Sequence, residues 1–187
     1  MTQKSKRNLK KSNPIRIIKP HTNKSRKIQK HNFLKGDFKK IEKVALDISM
    51  LAKNAENEGL FGNVYAVAHA QIIKKPLAFF IINAGNVRIW ESFKGFVNEY
   101  GPIIMNPRIT RHSKDKMGME EGCLSFPGKE MIMVKRWYKI EVEFEYLTFS
   151  EKTEKVNGIK TGDAKLKGFY AQLFQHEIDH INGINIY

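Results

Sequence analysis

Near the end of the chain stands the run Gln175-His176-Glu177-Ile178-Asp179-His180. On a helix, residues four apart share a face, so His176 and His180 could grip one metal ion together. Glu177, beside the first imidazole, could then act as a base toward water. Only the seven residues Ile181 to Tyr187 follow, and none is a good metal ligand. A third ligand is therefore expected upstream. Cys123, the only cysteine in the chain, is the obvious donor, in Glu120-Glu121-Gly122-Cys123-Leu124-Ser125. Two imidazoles and one thiolate leave a fourth position open, the arrangement of a catalytic rather than a structural site. Each part has a plainer reading. A lone cysteine is often a small buried hydrophobe, and a His-x-x-x-His pair can be a surface pair. Their combination is far more specific than either part.

These motifs must be carried by elements. Phe38, Ile41, Ala45, Ile48, Ala52 and Ala55 follow helical spacing, which predicts a long helix over Asp37–Ala55 with a core-facing stripe. Tyr65–Ala70, Leu77–Ile82 and Val87–Trp90 read as short strands. Ile140, Val142, Phe144 and Tyr146 alternate with Lys139, Glu141, Glu143 and Glu145, a strand with one wet face. Thr148 to Gly162 reads as a polar hairpin or loop, and Gly168 to Asn182 as the motif helix, stopped by Gly183. The expected class is α+β: small mixed or antiparallel sheets packed around a C-terminal metal-binding helix, with a second long helix near the N-terminus.

Length and charge add bounds. At 187 residues, 41% of them hydrophobic, the chain can build one real core. No apolar run approaches a membrane span, and the N-terminus lacks the apolar core of a signal peptide. Residues 1–43 hold 15 Lys and Arg against Asp37 and Glu42, a balance of +13 within the formal net charge of +14. The basicity thus belongs to the N-terminal segment. It reads as a solvated arm or as a contact for an anionic partner such as RNA. Residues 1–13 are expected to be a disordered tail and 14–187 one catalytic domain, with Ile15, Ile17 and Ile18 docking as a short extended piece. A single cysteine used as a thiolate fits a reducing compartment. The lysine bias of the N-terminus argues against an organelle transit segment.

Glu121-Gly122-Cys123-Leu124-Ser125 and Gln175 to His180 resemble the second and third motifs of the peptide deformylases. Asp37–Ala55, Gln71 to Asn83 and Ile104-Met105-Asn106-Pro107 resemble further stretches of that family in the right order, so the resemblance covers roughly Pro14 to Tyr187. The first motif departs. Where the family has Gly-x-Gly-Leu-Ala-Ala-x-Gln, this chain has Val64-Tyr65-Ala66-Val67-Ala68-His69-Ala70-Gln71, with both glycines replaced and Gln71 retained. Loss of those glycines bears on substrate approach more than on metal binding. No counterpart of the family's usual C-terminal extension is expected after Tyr187.

The resemblance implies hydrolysis of the formyl group from N-formylmethionyl peptides, the nascent chains of a bacterial or phage-infected cytoplasm, by a monomer with no membrane association. It implies Cys123, His176 and His180 as ligands of one divalent ion, Fe(II) by family and Zn(II), Co(II) or Ni(II) by donor type. Glu177 would take a proton from water and later deliver it to the departing amine. The Leu124 backbone N–H and the Gln71 amide would face the developing oxyanion. Ala66, Val67, His69 and Gly122 would lie at the substrate, His69 by its place beside Gln71. Two alternatives stay open: a related hydrolase for another small amide or peptide, and an RNA- or ribosome-associated protein with a structural metal site.

Overall fold

The computed structural model describes Lys30, Asn32, Phe33, residues 38–44, Asp47, Met50 and residues 64–72, 76–83, 102–149 and 156–187. The 1–13 tail, the isoleucines at 15, 17 and 18, and the expected strand Val87–Trp90 lie outside these residues. The first helix, α1, is helical at residues 38–44, 47 and 50, as its apolar spacing predicts. The rest of the expected Asp37–Ala55 span falls outside the described residues.

Among the described residues seven strands follow: β1 (Ala66–Ala68), β2 (Phe79–Ile82), β3 (Ile103–His112), β4 (Lys116–Glu121), β5 (Ile132–Trp137), β6 (Lys139–Phe149) and β7 (Val156–Lys167). Helix α2 (Phe169–Asn182) ends the order. Five strands form an antiparallel sheet in the order β1-β2-β3-β6-β7, and β4 pairs with β5 in a separate ribbon. The α+β class with antiparallel sheets is as expected.

Period-two alternation divides the core into two layers. Phe80, Ile82, Ile104, Ile140, Val142 and Phe144 face α2, where they meet Leu173, Phe174, Ile178 and Ile181. Phe79, Ile81, Ile103, Met105 and Leu147 face the other way, onto Phe33 and Ile41. Because both faces of β2 are covered, its sequence Phe-Phe-Ile-Ile is apolar throughout and all four residues are buried. On β6 the intervening acids turn outward, as expected, and pair with cations: Glu143 with Arg108 at 2.6 Å, Glu141 with Lys165 at 3.5 Å.

Two elements differ from the sequence expectation. The run Tyr65–Ala70 stays extended only over Ala66–Ala68, then tightens into a 3-10 turn, His69–Gln71. The cause is local: Gln71 Oε1 accepts the Ala68 N–H at 2.8 Å, an option the strand ladder does not provide. The polar stretch Thr148 to Gly162 is indeed a hairpin, but most of it is strand. β6 runs to Phe149 and β7 starts at Val156, and the pair stays in register from Lys139↔Lys167 to Phe149↔Val156 with one shift near the tip. Its polar composition hid the strand, because pairing along β6 overrides weak propensity in β7.

α2 begins after Gly168 and stops where expected. Gly183 takes a left-handed φ of 76°, and the N–H groups of Gly183 and Ile184 close on the carbonyls of His180 and Asp179. Phe174 anchors the helix: it is fully buried and meets Phe80 edge-on, with centroids 5.1 Å apart. Phe174→Ala is expected to destabilise the protein by about 3–5 kcal/mol, read as a lowered urea midpoint with an unchanged slope.

Candidate metal centre

Three supports converge on one point. α2 brings His176 and His180, one turn apart on the same face. The segment after β4 brings Cys123, in a turn closed by Phe126 N–H to Cys123 C=O at 2.9 Å. The 3-10 turn after β1 brings Gln71. α2 is docked on the ribbon by glutamines acting as peptide substitutes. Gln175 accepts the Trp137 N–H and donates to the Trp137 carbonyl, both at 3.0 Å, while Gln172 donates to the Glu120 carbonyl at 3.2 Å. This pairing satisfies backbone groups of β4 and β5 that the two-stranded ladder leaves open.

Cys123 Sγ lies 3.2 Å from His180 Nε2, and that atom lies 3.2 Å from His176 Nε2. All three candidate ligand atoms fall within 4.8 Å of one another. Tetrahedral bonds of about 2.1–2.3 Å to N and S would separate donors by about 3.4–3.7 Å, so a small contraction or expansion of this cluster accommodates an ion. Without an ion the two imidazoles titrate in opposite directions. His176 is raised to about 10: burial opposes its charge, but hydrogen bonds to Cys123 and Glu121 outweigh burial. His180 is lowered to about 3, by burial first and then by the His176 charge. An ion bound here would displace the proton from His176, since an imidazole ligates through a neutral nitrogen. A donor set of this kind suits a single divalent ion, with Cys123, His176 and His180 as the residues able to hold it.

Behind the donors lies a charged ring. His176 Nδ1 is 2.8 Å from Glu121 Oε2. Arg136 grips Glu121 with two bonds, Nε to Oε1 at 2.7 Å and Nη2 to Oε2 at 2.8 Å, and its Nη1 donates to Asp179. Asp179 and Arg136 thus form an ion pair between α2 and β5. Burial works against the Glu121 charge, but the hydrogen bonds from Arg136 and His176 hold it at about 2. Glu121 was not singled out from sequence, although its place two residues before the cysteine was in view. His180 has its own support in a side-chain hydrogen bond with Asn185. That contact comes from the terminal run the sequence reading had set aside as poor in ligands.

The remaining candidates gather nearby. Glu177 is 2% exposed, and its Oε2 has no hydrogen-bond partner among the described residues. Burial raises it to about 7, while the His176 charge and an Ala68 backbone hydrogen bond pull the other way. A carboxyl poised near neutrality can both take and return a proton. Gln71 Nε2 donates to Ser125 Oγ at 3.2 Å and lies 3.7 Å from Cys123 Sγ. Leu124 follows Cys123 directly, so its backbone borders the donors. Ala66 and Val67 are buried in β1, an edge strand of the five-stranded sheet, and Gly122 sits against the Met131 side chain. His69, which opens the 3-10 turn that ends on Gln71, is 1% exposed.

With this geometry in view, the comparisons with known proteins are direct. The family model for polypeptide deformylase matches residues 19–187. The chain belongs to the polypeptide deformylase family. It is 40% identical over 91 residues to the peptide deformylase of Halalkalibacterium halodurans, covering 48% of this chain and 44% of that one. It is 33% identical over 109 residues to that of Thermotoga petrophila, covering 58% and 51% respectively. The matched region thus spans about half the length of these curated relatives. A solved structure of the deformylase from the Vibrio parahaemolyticus bacteriophage VP16T, in complex with actinonin, is similar at 26% identity and a TM-score of 0.57, covering 91% of this chain and 98% of that one. No helix among the described residues is long and apolar enough to cross a membrane.

Two outcomes test this account. Arg136→Met leaves Glu121 buried without its main partner and is expected to cost about 3–5 kcal/mol in chemical denaturation of the metal-free protein. The second concerns His69, held at about 4, below its ordinary 6.5, first by burial and then by the Lys40 charge. A lowered folded value means the unfolded chain takes up the proton first. The stabilisation is therefore complete above about pH 6.5 and is lost as pH falls toward 4. Between pH 7 and pH 5 the wild type should lose about 2 kcal/mol more than His69→Asn. Equal losses in urea titrations at the two pH values would count against this.

Proposed function

We propose that this protein is a metal-dependent hydrolase that removes the formyl group from the N-terminal formylmethionine of nascent polypeptides, releasing formate. The observation that carries the reading is the convergence of one thiol and two imidazole nitrogens on a point bordered by a buried, near-neutral carboxyl and a fixed amide. Family membership supports the same activity. Cys123, His176 and His180 hold one divalent ion, Fe(II) in the cell, with Zn(II), Co(II) or Ni(II) able to occupy the same donors. Such an ion polarises a carbonyl oxygen and makes water nucleophilic near neutral pH.

The chain's own residues do the rest. Glu177 takes the proton of the attacking water and returns it to the amine as the C–N bond breaks. Its burial serves both steps, because neither protonation state is strongly preferred at pH 7. The Leu124 N–H and one N–H of Gln71 face the carbonyl oxygen as negative charge grows there. Gln71 needs no reorganisation, since the Ala68 N–H fixes which end of its amide points inward. The peptide runs extended along β1 at Ala66 and Val67, opposite Gly122, with main-chain pairing supplying affinity. Side chains at Val64 and Ala66 narrow that approach relative to the glycines of the family motif.

The whole protein acts as a monomer on nascent chains in a reducing cytoplasm, of a bacterium or a phage-infected cell, where a buried thiolate ligand survives. Its basic residues 1–43 supply a salt-sensitive contact to the ribosome. Residues 1–13 serve as a tail and 14–187 as one catalytic domain.

The test is formate release from formyl-Met-Ala-Ser by protein purified anaerobically with Fe(II). Glu177→Gln should keep one ion per chain and lose turnover by at least about 10²-fold. Cys123→Ser and His180→Ala should lose the ion itself. One bound ion without formate release would reject the substrate and leave other small amides to be tried.

A further inference from the structure

The first-motif residue that departs most in chemistry is His69, where the family pattern has alanine. Its surroundings are specific. Nδ1 accepts the Leu77 N–H at 2.9 Å, closing the loop that leaves the 3-10 turn and returns to β2. The ring stacks on Phe79, with centroids 4.6 Å apart and planes 23° from parallel. With Nδ1 accepting, the proton of the neutral ring sits on Nε2, and Nε2 has no partner among the described residues. A buried N–H without a partner costs free energy. An apolar side chain of similar size would fill the space without that cost, so packing does not account for the imidazole. What it adds is the acceptor at Nδ1.

The turn that His69 opens ends on Gln71 and is only three residues long. Ala68, at its start, has no polar side chain to cap it. Its internal ties are the Ile72 N–H to the His69 carbonyl, a long 3.2 Å, and the Gln71 amide to the Ala68 N–H. The same Ala68 N–H hydrogen-bonds Glu177. A shift of the turn by a fraction of an ångström would move the Gln71 amide relative to Cys123 and loosen a bond to Glu177.

We propose that His69 is a positioning residue of the hydrolytic site: its bond from Leu77 pins the 69–71 turn and thereby keeps the Gln71 amide aimed at the reacting carbonyl. It touches neither substrate nor ion and acts through Gln71. This rests on the deformylase reading, because Gln71 matters to rate only if charge develops on an oxygen beside it.

The test compares wild type, His69→Asn and His69→Leu in the Fe(II)-loaded full chain. Asparagine Oδ1 stands near the place of Nδ1 and can accept the Leu77 N–H, whereas leucine fills the volume without an acceptor. His69→Leu is expected to lower kcat by about ten- to a hundredfold with KM and metal content unchanged, and His69→Asn to restore most of it. Amide hydrogen exchange is followed alongside: Leu77 should lose protection in the leucine variant and regain it in the asparagine variant. Should His69→Leu not fold, His69→Gln replaces it, since its amide reaches the Nε2 position and leaves Leu77 unpaired. Wild-type kcat in a variant that leaves Leu77 unprotected would overturn the proposal. So would an asparagine variant that restores Leu77 protection but not kcat. Absence of formate release from wild type would instead reject the deformylase reading. Leu77 protection and the Gln71 side-chain amide resonances would then still decide whether His69 holds the turn, and unchanged Gln71 resonances in the leucine variant would reject the proposal outright.

Discussion

Arg136 is a buried guanidinium held between two carboxylates that come from different parts of the fold. Glu121 lies at the end of β4 and Asp179 on the last turn of α2. Removing such a charge from water is expensive, and the cost is offset only if every donor finds a partner in good geometry. Arg136 offsets much of that cost by forking two N–H donors onto Glu121 and sending a third to Asp179. The ribbon β4–β5 is only two strands, an element of marginal stability by itself. Its attachment to α2 therefore depends on this ring together with the Gln172 and Gln175 contacts. Glu121 Oε2, already bonded to Arg136, is also shared with His176 Nδ1, which turns the far nitrogen of that imidazole toward Cys123. The orientation of the metal-facing atoms is thus a consequence of how the ribbon is tied down.

The opposite wall of the site is built differently. There the supports are neutral: an amide, a short turn, a buried imidazole and the Ala68 N–H shared between Gln71 and Glu177. The contrast has a chemical logic. On the ionic side the charges of Glu121 and Arg136 both reach Glu177, with opposite signs. The neutral side leaves Glu177 with little to stabilise its charge. Burial then dominates, and the carboxyl rises to about 7. Were the Ala68 side as polar as the Arg136 side, Glu177 would be an ordinary carboxylate and a weak proton carrier near neutrality.

The final residues belong to the site as much as the helix before them. Gly183 reverses the chain, and Asn185 then reaches back to His180. Tyr187 lies edge-on to Phe126, its hydroxyl donates to the Glu130 carbonyl at 2.6 Å, and Lys129 sits 4.8 Å from its ring centroid. The loop that follows Cys123 is held against the end of the chain by these contacts. Two of the three donors are therefore braced from the same short stretch.

Sequence by itself determined the donors and the helix that carries two of them. Spacing of four places two imidazoles on one face whatever surrounds the helix, and a glycine after the last turn ends it. Alternation along β6 likewise determined which residues face the core. The same local rules failed where partners decide. β7 is a strand because eleven residues of β6 need pairing, not because of its composition. The extended run after Tyr65 becomes a turn because a glutamine side chain captures a backbone amide. Glu121 was hidden as a support because it acts on His176, 55 residues away, and the roles of Asn185 and His69 were hidden because they depend on how the intervening turns fold. Only the tertiary structure brings those partners within hydrogen-bond distance, and only burial there moves a glutamate and a histidine from their ordinary values.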